Sequence, residues 1–169
     1  MLAIHAQHSK NWQMLMNLLK NISYNVGVVM LGLGLALLGT KLDGVLWIRE
    51  FNSGFAASSG LVLLLAGFLL RVWTTSYFHA RRMRVISLRP QQALITSGPY
   101  RFTRNPHYLG GNVLIFFGAA LMFGSPIAIL VVAIHLFLLD LFIRREEKQL
   151  VQDFGEEWSR YRRRVRRWL

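Results

Sequence analysis

The chain has 169 residues, 53% of them hydrophobic, and a formal net charge of +12. It contains no cysteine, which excludes a disulfide framework, a thiolate metal site and a cysteine nucleophile. A soluble protein that binds nucleic acid would also be basic but would not need the long uncharged apolar stretches of this chain, so we expect a single-domain integral membrane protein without a nucleic-acid partner.

The first half of the chain predicts one interfacial helix and two membrane spans. In residues 1–20, polar residues interrupt apolar ones that recur at helical spacing, which indicates a helix in the membrane interface rather than a cleavable signal peptide. Residues 22–40 carry no charge and are about as long as a bilayer core requires, so they predict the first span. The second span is predicted at residues 55–73, where Arg71 and Trp73 near the end can reach the interface.

The second half of the chain predicts a helical hairpin followed by an amphipathic tail. A turn signal, Gly-Ser-Pro at residues 124–126, divides a long apolar stretch and predicts spans at residues 109–123 and 126–143. In residues 144–169, apolar residues recur at intervals of three and four, which predicts a cytosolic amphipathic helix with a break at Gly155. The expected fold is therefore an all-α integral membrane protein with four transmembrane helices.

The charge distribution orients these spans. The link at residues 80–108 carries six basic residues and no acidic one, and the tail has nine basic against five acidic residues. The positive-inside rule therefore places the link, the tail and both termini in the cytoplasm. The small size and the lack of a signal-peptide pattern favour a bacterial or archaeal inner membrane over the endoplasmic reticulum. Residues 162–169 are expected to lie on anionic membrane lipids.

The link combines turn-forming, aromatic and cationic residues at the water boundary. Its prolines and glycines predict irregular backbone that allows a close approach of a ligand. Tyr100, Phe102 and Tyr108 can stack on a flat heterocycle, and Arg104 and Asn105 can bind polar groups, a mixture that suits a cofactor with a nucleoside. The alternative is an ordinary basic and aromatic loop that contacts lipid head groups.

A few ionisable residues lie within or beside the apolar segments. Arg71 and Asp140 are expected at similar depth, so we predict an ion pair between them, the alternative being that both reach water separately. For His135, an interhelical hydrogen bond is favoured over a role as proton carrier. Glu146 and Glu147 have no histidine at ligand spacing, and we therefore expect no metal site.

Several motifs together resemble the isoprenylcysteine carboxyl methyltransferase family and its phospholipid methyltransferase relatives. They are Thr-Ser-Gly-Pro-Tyr at residues 96–100, Arg-Asn-Pro-His-Tyr-Leu-Gly at residues 104–110, the glutamate pair at residues 146–147, and Phe-Gly-Glu-Glu-Trp at residues 154–158. The resemblance covers roughly residues 92–165.

This resemblance implies a small membrane enzyme that uses S-adenosylmethionine, held between the cytosolic ends of the last spans and the tail. By position, the implied cofactor-binding residues are Gln92, Ala93, Leu94, Ile95, Tyr100, Asn105, Pro106, His107, Tyr108 and Glu146. Glu146 would bind a polar end of the cofactor, such as its ammonium, with support from Glu147. The residues implied in catalysis are Arg144, Arg145 and Glu147.

The chain departs from the family pattern at two positions. Asn105 stands where the family usually has histidine, and it can exchange hydrogen bonds but cannot become cationic. Phe142 stands where the family has an arginine that faces the substrate carboxylate, and Arg144 or Arg145 from the next turn is expected to replace it.

The function expected from the sequence is methyl transfer to a lipophilic or prenylated acceptor in the membrane, with carboxyl O-methylation as the leading reaction. One alternative is a reductase related to the sterol reductases, which carry a similar C-terminal pattern and use NADPH. The other is a non-enzymatic membrane protein that binds anionic lipid.

Overall fold

A computed structural model describes residues 2–51, 53–80 and 93–169. Throughout these ranges the regular structure is helical, without a strand. Four long helices follow one another: α1 (Leu2–Val45), α2 (Gly54–Ala80), α3 (Pro106–Phe123) and α4 (Pro126–Arg164). A 3-10 turn at Gly98–Arg101 precedes α3.

All four helices are long and apolar enough to cross a membrane. The candidate spans are Leu19–Val45, Gly54–Phe78, Pro106–Phe123 and a part of Pro126–Arg164. The prediction of an all-α membrane protein with four spans and a C-terminal helical hairpin is thereby confirmed.

The segment predicted as a separate interfacial helix, residues 1–20, is not set apart from the first span. The helix α1 continues without interruption from Leu2 to Val45. The physical reason is that the sequence contains neither proline nor glycine before Gly27, so nothing interrupts the helical hydrogen bonds between the two predicted elements.

Glycines bring the backbones of α2 and α3 into direct contact. A Cβ atom on Gly60 would lie 2.5 Å from the carbonyl oxygen of Gly118, and one on Gly67 would lie 2.5 Å from that of Gly110. Small residues at a helix interface permit such close approach, which replaces the hydrophobic driving force that is missing in lipid. These two contacts fix α3 in antiparallel orientation against the first half of α2.

One end of the helical bundle is closed by the turn between α3 and α4, which we call the hairpin end. Gly124 ends α3 in the left-handed conformation, with φ of 61°, and Ser125 caps α4 by accepting a hydrogen bond from the amide of Ala128 at 3.0 Å. The carboxylate of Asp43, which is fully buried, accepts hydrogen bonds from the Ser125 hydroxyl and, at 3.1 Å, from the amide of Ile127. This carboxylate ties α1 to the hairpin.

The helix α4 is broken near its end, as the sequence predicts. Gly155 has φ of 48° and ψ of −118°, and the helix resumes after it as far as Arg164. The break turns the last helical segment, so that Trp158 and Tyr161 are buried against the loop before α3.

A histidine within the bundle forms a hydrogen bond between α3 and α4. His135 on α4 forms a hydrogen bond between its Nε2 atom and Oδ1 of Asn112 on α3, at 2.9 Å. The predicted interhelical hydrogen bond of His135 is thereby confirmed.

Candidate active site

The loop before α3 and the C-terminal residues meet at the end of the bundle opposite the hairpin, which we call the loop end. The amide of Arg104 donates a hydrogen bond to the carbonyl oxygen of Arg166 at 2.9 Å. The carbonyl oxygen of Arg167 accepts two more, from the Thr103 hydroxyl at 2.9 Å and from the Asn105 side-chain amide at 3.2 Å. The two cationic segments that the sequence places on one side of the membrane are therefore in direct contact.

A buried carboxylate holds this contact together. Glu147 on α4 is only 8% exposed and accepts hydrogen bonds from Nη2 and Nε of Arg167, at 2.6 and 3.2 Å. Its Oε1 atom also lies 3.2 Å from Nη2 of Arg104. Arg167 reaches Asp140 as well, with Nη1 at 3.1 Å from Oδ1. The hydrogen bonds to Glu147 raise the pKa of Arg167, whereas burial lowers the pKa of Arg104.

Aromatic side chains complete the contact between loop and tail. The hydroxyl of Tyr161 donates a hydrogen bond to the carbonyl oxygen of Tyr100 at 2.8 Å. The guanidinium of Arg104 lies 5.6 Å from the ring centroid of Trp158, within the range of a cation–π interaction. Tyr100 is itself packed edge to face on Phe78 of α2, at 5.9 Å, and burial raises the pKa of its phenol. The last segment of α4 thus packs on the loop before α3.

Tyr108 and Glu146 form a solvent-accessible polar pair of the site. The phenol of Tyr108 donates to the Glu146 carboxylate, whose two oxygens lie 3.2 and 3.1 Å away. The ring of Phe142 packs edge to face against Tyr108 at 6.5 Å. Glu146 is exposed, in contrast to the neighbouring Glu147. The result is an accessible carboxylate on an aromatic wall where α3 meets α4.

The predicted ion pair between Arg71 and Asp140 is wrong. Arg71 is 2% exposed and donates from Nε to Oδ1 of Asn25 at 3.0 Å, and from Nη1 to the carbonyl oxygen of His107 at 3.3 Å. Its side chain thus lies between α1, α2 and the start of α3, away from α4. Asp140 instead pairs with Arg144, at 2.7 Å, and with Arg167.

The ring of His107 stacks on Tyr24 of α1. Their ring centroids are 6.3 Å apart with planes at 9°, and the Arg71 guanidinium lies 5.4 Å from the centre of the Tyr24 ring. His107 also meets Tyr108 edge to face at 6.3 Å. An aromatic row thus leads from α1 to the pair of Tyr108 and Glu146.

The remaining implied residues take different positions. Ala93 is exposed, Leu94 is half-buried, and Ile95 and Pro106 are buried. Arg145 is exposed. Some predicted residues lie outside the described ranges, namely Gln92 and four arginines of the link, Arg81, Arg82, Arg84 and Arg89.

Two residues of the site gave no signal in the sequence. Arg167 belongs to a run of similar cations, and only its long-range contact with Glu147 distinguishes it from its neighbours. Tyr24 lies inside the first span. The local sequence pattern predicts neither its 39% exposure nor the stacking of its ring on His107.

Comparisons with known proteins assign the chain to a family. No solved structure matches the chain. An uncharacterized protein of Haemophilus influenzae is 41% identical over 58 residues, which are 34% of this chain and 92% of that protein. The family model described as phospholipid methyltransferase matches residues 55–157, which include α2, α3 and most of α4. Since the match extends over more than half of the sequence, the chain belongs to the phospholipid methyltransferase family.

Proposed function

We propose that the protein transfers a methyl group from S-adenosylmethionine to a lipid or isoprenoid acceptor dissolved in the membrane. The family assignment supports methyl transfer to a lipid. The single observation that supports the location of the cofactor is the exposed Glu146 carboxylate beside the ring of Tyr108, at the end of two apolar helices.

The residues at the loop end fit this cofactor. S-adenosylmethionine carries an ammonium group and a flat adenine, and when bound it supplies an electrophilic methyl group on a sulfonium. Within the described ranges, the Glu146 carboxylate has the Tyr108 hydroxyl as its one hydrogen-bond partner, so it can also accept an ammonium. The rings of Tyr108 and Phe142 offer apolar faces beside it.

The chain acts mainly through positioning and exclusion of water. A carboxylate acceptor is already ionised at neutral pH, so no group of the protein has to remove a proton from it. The ion pairs of Glu147 with Arg104 and Arg167 hold the tail against the loop beside this site. An enzyme that aligns the methyl group with the acceptor and excludes water can lower the activation barrier by several kcal/mol, as in well-oriented intramolecular reactions.

The acceptor atom separates two versions of this function. Carboxyl O-methylation follows from the resemblance to the isoprenylcysteine enzymes, and it suits a site without an evident general base. Methylation of an amine in a phospholipid head group is favoured by the family match. Membranes incubated with methyl-labelled cofactor distinguish the two, because alkali releases labelled methanol from a methyl ester and leaves an N-methyl group in the lipid.

Binding of the cofactor can be measured by calorimetry on the purified, folded protein. We expect Glu146→Gln to weaken S-adenosylmethionine binding about tenfold or more, since it removes the charge that faces the ammonium. Glu156→Gln is the matched control, because Glu156 is an exposed carboxylate on the far side of the helix break. Equal affinities in the two variants would refute the role of Glu146.

Competition between cofactors separates this proposal from the reductase alternative. S-adenosylhomocysteine should displace the labelled methyl donor, and NADPH should not. The opposite pattern would assign the protein to reductive chemistry.

We further propose that the loop end faces the cytoplasm, where the arginine-rich link is expected by the positive-inside rule. The chain has no cysteine, so the substitution Glu156→Cys introduces one labelling site without the removal of others. A membrane-impermeant maleimide should label it only after the cells are opened.

A further inference from the structure

A polar cavity lies between the loop and the tail, apart from the pair of Tyr108 and Glu146. Its volume is about 490 Å³, and it is lined by Thr96, Arg101, Glu157, Arg160, Tyr161, Arg164 and Val165. Neither Tyr108 nor Glu146 contributes to its wall. A ligand in this cavity would therefore not occupy the proposed cofactor site.

The wall of this cavity is strongly cationic. Arg101, Arg160 and Arg164 line it together with a single carboxylate, that of Glu157. Within the described residues, none of these three arginines forms a salt bridge, whereas Arg104 and Arg167 nearby are paired with Glu147. Three guanidinium groups without carboxylate partners thus present their N–H donors to one cavity, which is the arrangement that recognises a phosphate.

The fold holds these like charges together in spite of their repulsion. Arg160 and Arg164 are one turn apart on the helical segment after Gly155, and like charges at this spacing are mildly destabilising. The hydrogen bond from Tyr161 to the carbonyl oxygen of Tyr100 brings that segment against the loop, beside Arg101. Contacts of neighbouring residues, and not attraction among the arginines, therefore form the cationic cavity.

Aromatic residues place the cavity at the membrane boundary. Phe102 follows Arg101 and is 64% exposed, and its ring lies 6.2 Å from that of Trp73, which is 46% exposed near the end of the second span. Exposed aromatic rings at a span end are typical of the head-group level of a bilayer. The phosphates of membrane lipids lie at that level, which favours a lipid over a phosphate compound in solution.

We propose that the cavity formed by Arg101, Arg160 and Arg164 binds the phosphate of an anionic phospholipid of the surrounding bilayer. This site is independent of methyl transfer, because the lipid phosphate lies outside the cofactor pair. It anchors the tail to the membrane surface at the point where the tail covers the loop.

Native mass spectrometry of the full-length protein, released from nanodiscs of phosphatidylcholine with a minor fraction of phosphatidylglycerol, tests the proposal. The test variant carries Arg101→Gln, Arg160→Gln and Arg164→Gln together. The control variant carries Lys148→Gln, Arg163→Gln and Arg166→Gln, which removes the same charge from exposed positions outside the cavity. We expect the wild type and the control to retain one phosphatidylglycerol and the test variant to retain roughly tenfold less.

A second measurement uses the wild type alone and does not depend on how the variant folds. Phenylglyoxal, which modifies arginine, should react more slowly with Arg160 and Arg164 when phosphatidylglycerol is present, and Arg163 should show no such change. Binding of S-adenosylmethionine to the test variant should persist, which keeps this result distinct from failure of the proposed enzyme function.

Two outcomes would overturn the proposal. If the control variant loses phosphatidylglycerol as fully as the test variant, the attraction is a diffuse property of the basic tail. If inorganic phosphate protects Arg160 and Arg164 equally well in pure phosphatidylcholine nanodiscs, the cavity binds phosphate from solution and not a lipid.

Discussion

Replacement of Arg167 by methionine tests the contact between loop and tail. The substitution keeps an apolar stem of similar length and removes three charge-assisted hydrogen bonds, two to Glu147 and one to Asp140. Hydrogen bonds to charged groups contribute about 1.5–3 kcal/mol each when buried. The side chain of Arg167 is 22% exposed and that of Asp140 is 27% exposed, and Glu147 keeps Arg104 as a partner, so we expect a total loss of roughly 3 kcal/mol rather than the full sum.

This loss should appear as local opening of the tail and not as unfolding of the bundle. The amide of Arg104 donates to the carbonyl oxygen of Arg166, and its hydrogen exchange therefore reports the opening. At about 1.4 kcal/mol per factor of ten, exchange should accelerate on the order of one hundredfold. The measurement is hydrogen–deuterium exchange by mass spectrometry on the peptide that contains the loop.

Arg166→Met is the matched control, since its exposed side chain is replaced while the carbonyl oxygen that accepts the hydrogen bond stays in place. If both variants exchange at the same rate as the wild type, the ion pairs do not hold the tail on the loop. Equal acceleration in both would mean that net charge, and not the geometry of Arg167, governs the contact.

Three further changes test other parts of the structure. Gly67→Ala should lower the yield of folded protein in size-exclusion chromatography, because the new Cβ would meet the Gly110 backbone, whereas Gly27→Ala has open space and should behave as the wild type. Gly155→Ala should cost about 1–3 kcal/mol of tail docking, since φ of 48° with ψ of −118° strains any side chain, and this should appear as faster exchange in the loop. Tyr108→Phe keeps the ring but removes its hydrogen bond to the glutamate, so calorimetry should show cofactor affinity reduced about three- to tenfold; an unchanged affinity would separate this pair from the cofactor.

The sequence predicted the helices because their signals are local. Runs without charge mark the spans, and the turn at residues 124–126 and the break at Gly155 are set by residue types that end or bend a helix. The limits of the first helix were not predicted correctly, since interfacial and spanning segments differ in polarity but share helical propensity.

The partners of charged residues could not be predicted in the same way. Depth in the membrane is readable from position along a span, but the direction in which Arg71 points depends on how the helices are rotated against each other. Likewise, six arginines of the tail end are chemically alike in sequence, and only the fold selects Arg167 for Glu147. The location of loop and tail on one side of the membrane was predicted from charge bias, whereas their contact and its atomic basis required the structure.

The two ends of the bundle respond differently to ionic strength. At the hairpin end, the Asp43 carboxylate is fully buried against the Ile127 amide and the Ser125 hydroxyl, where dissolved ions cannot reach it. At the loop end, the Arg167 and Asp140 side chains remain in partial contact with water, so added salt screens their attraction. Raising the salt concentration should therefore weaken the Arg167–Asp140 pair first, because the buried pairs of Glu147 and the hairpin end are screened much less, so that the tail loosens at its edge before the helices separate.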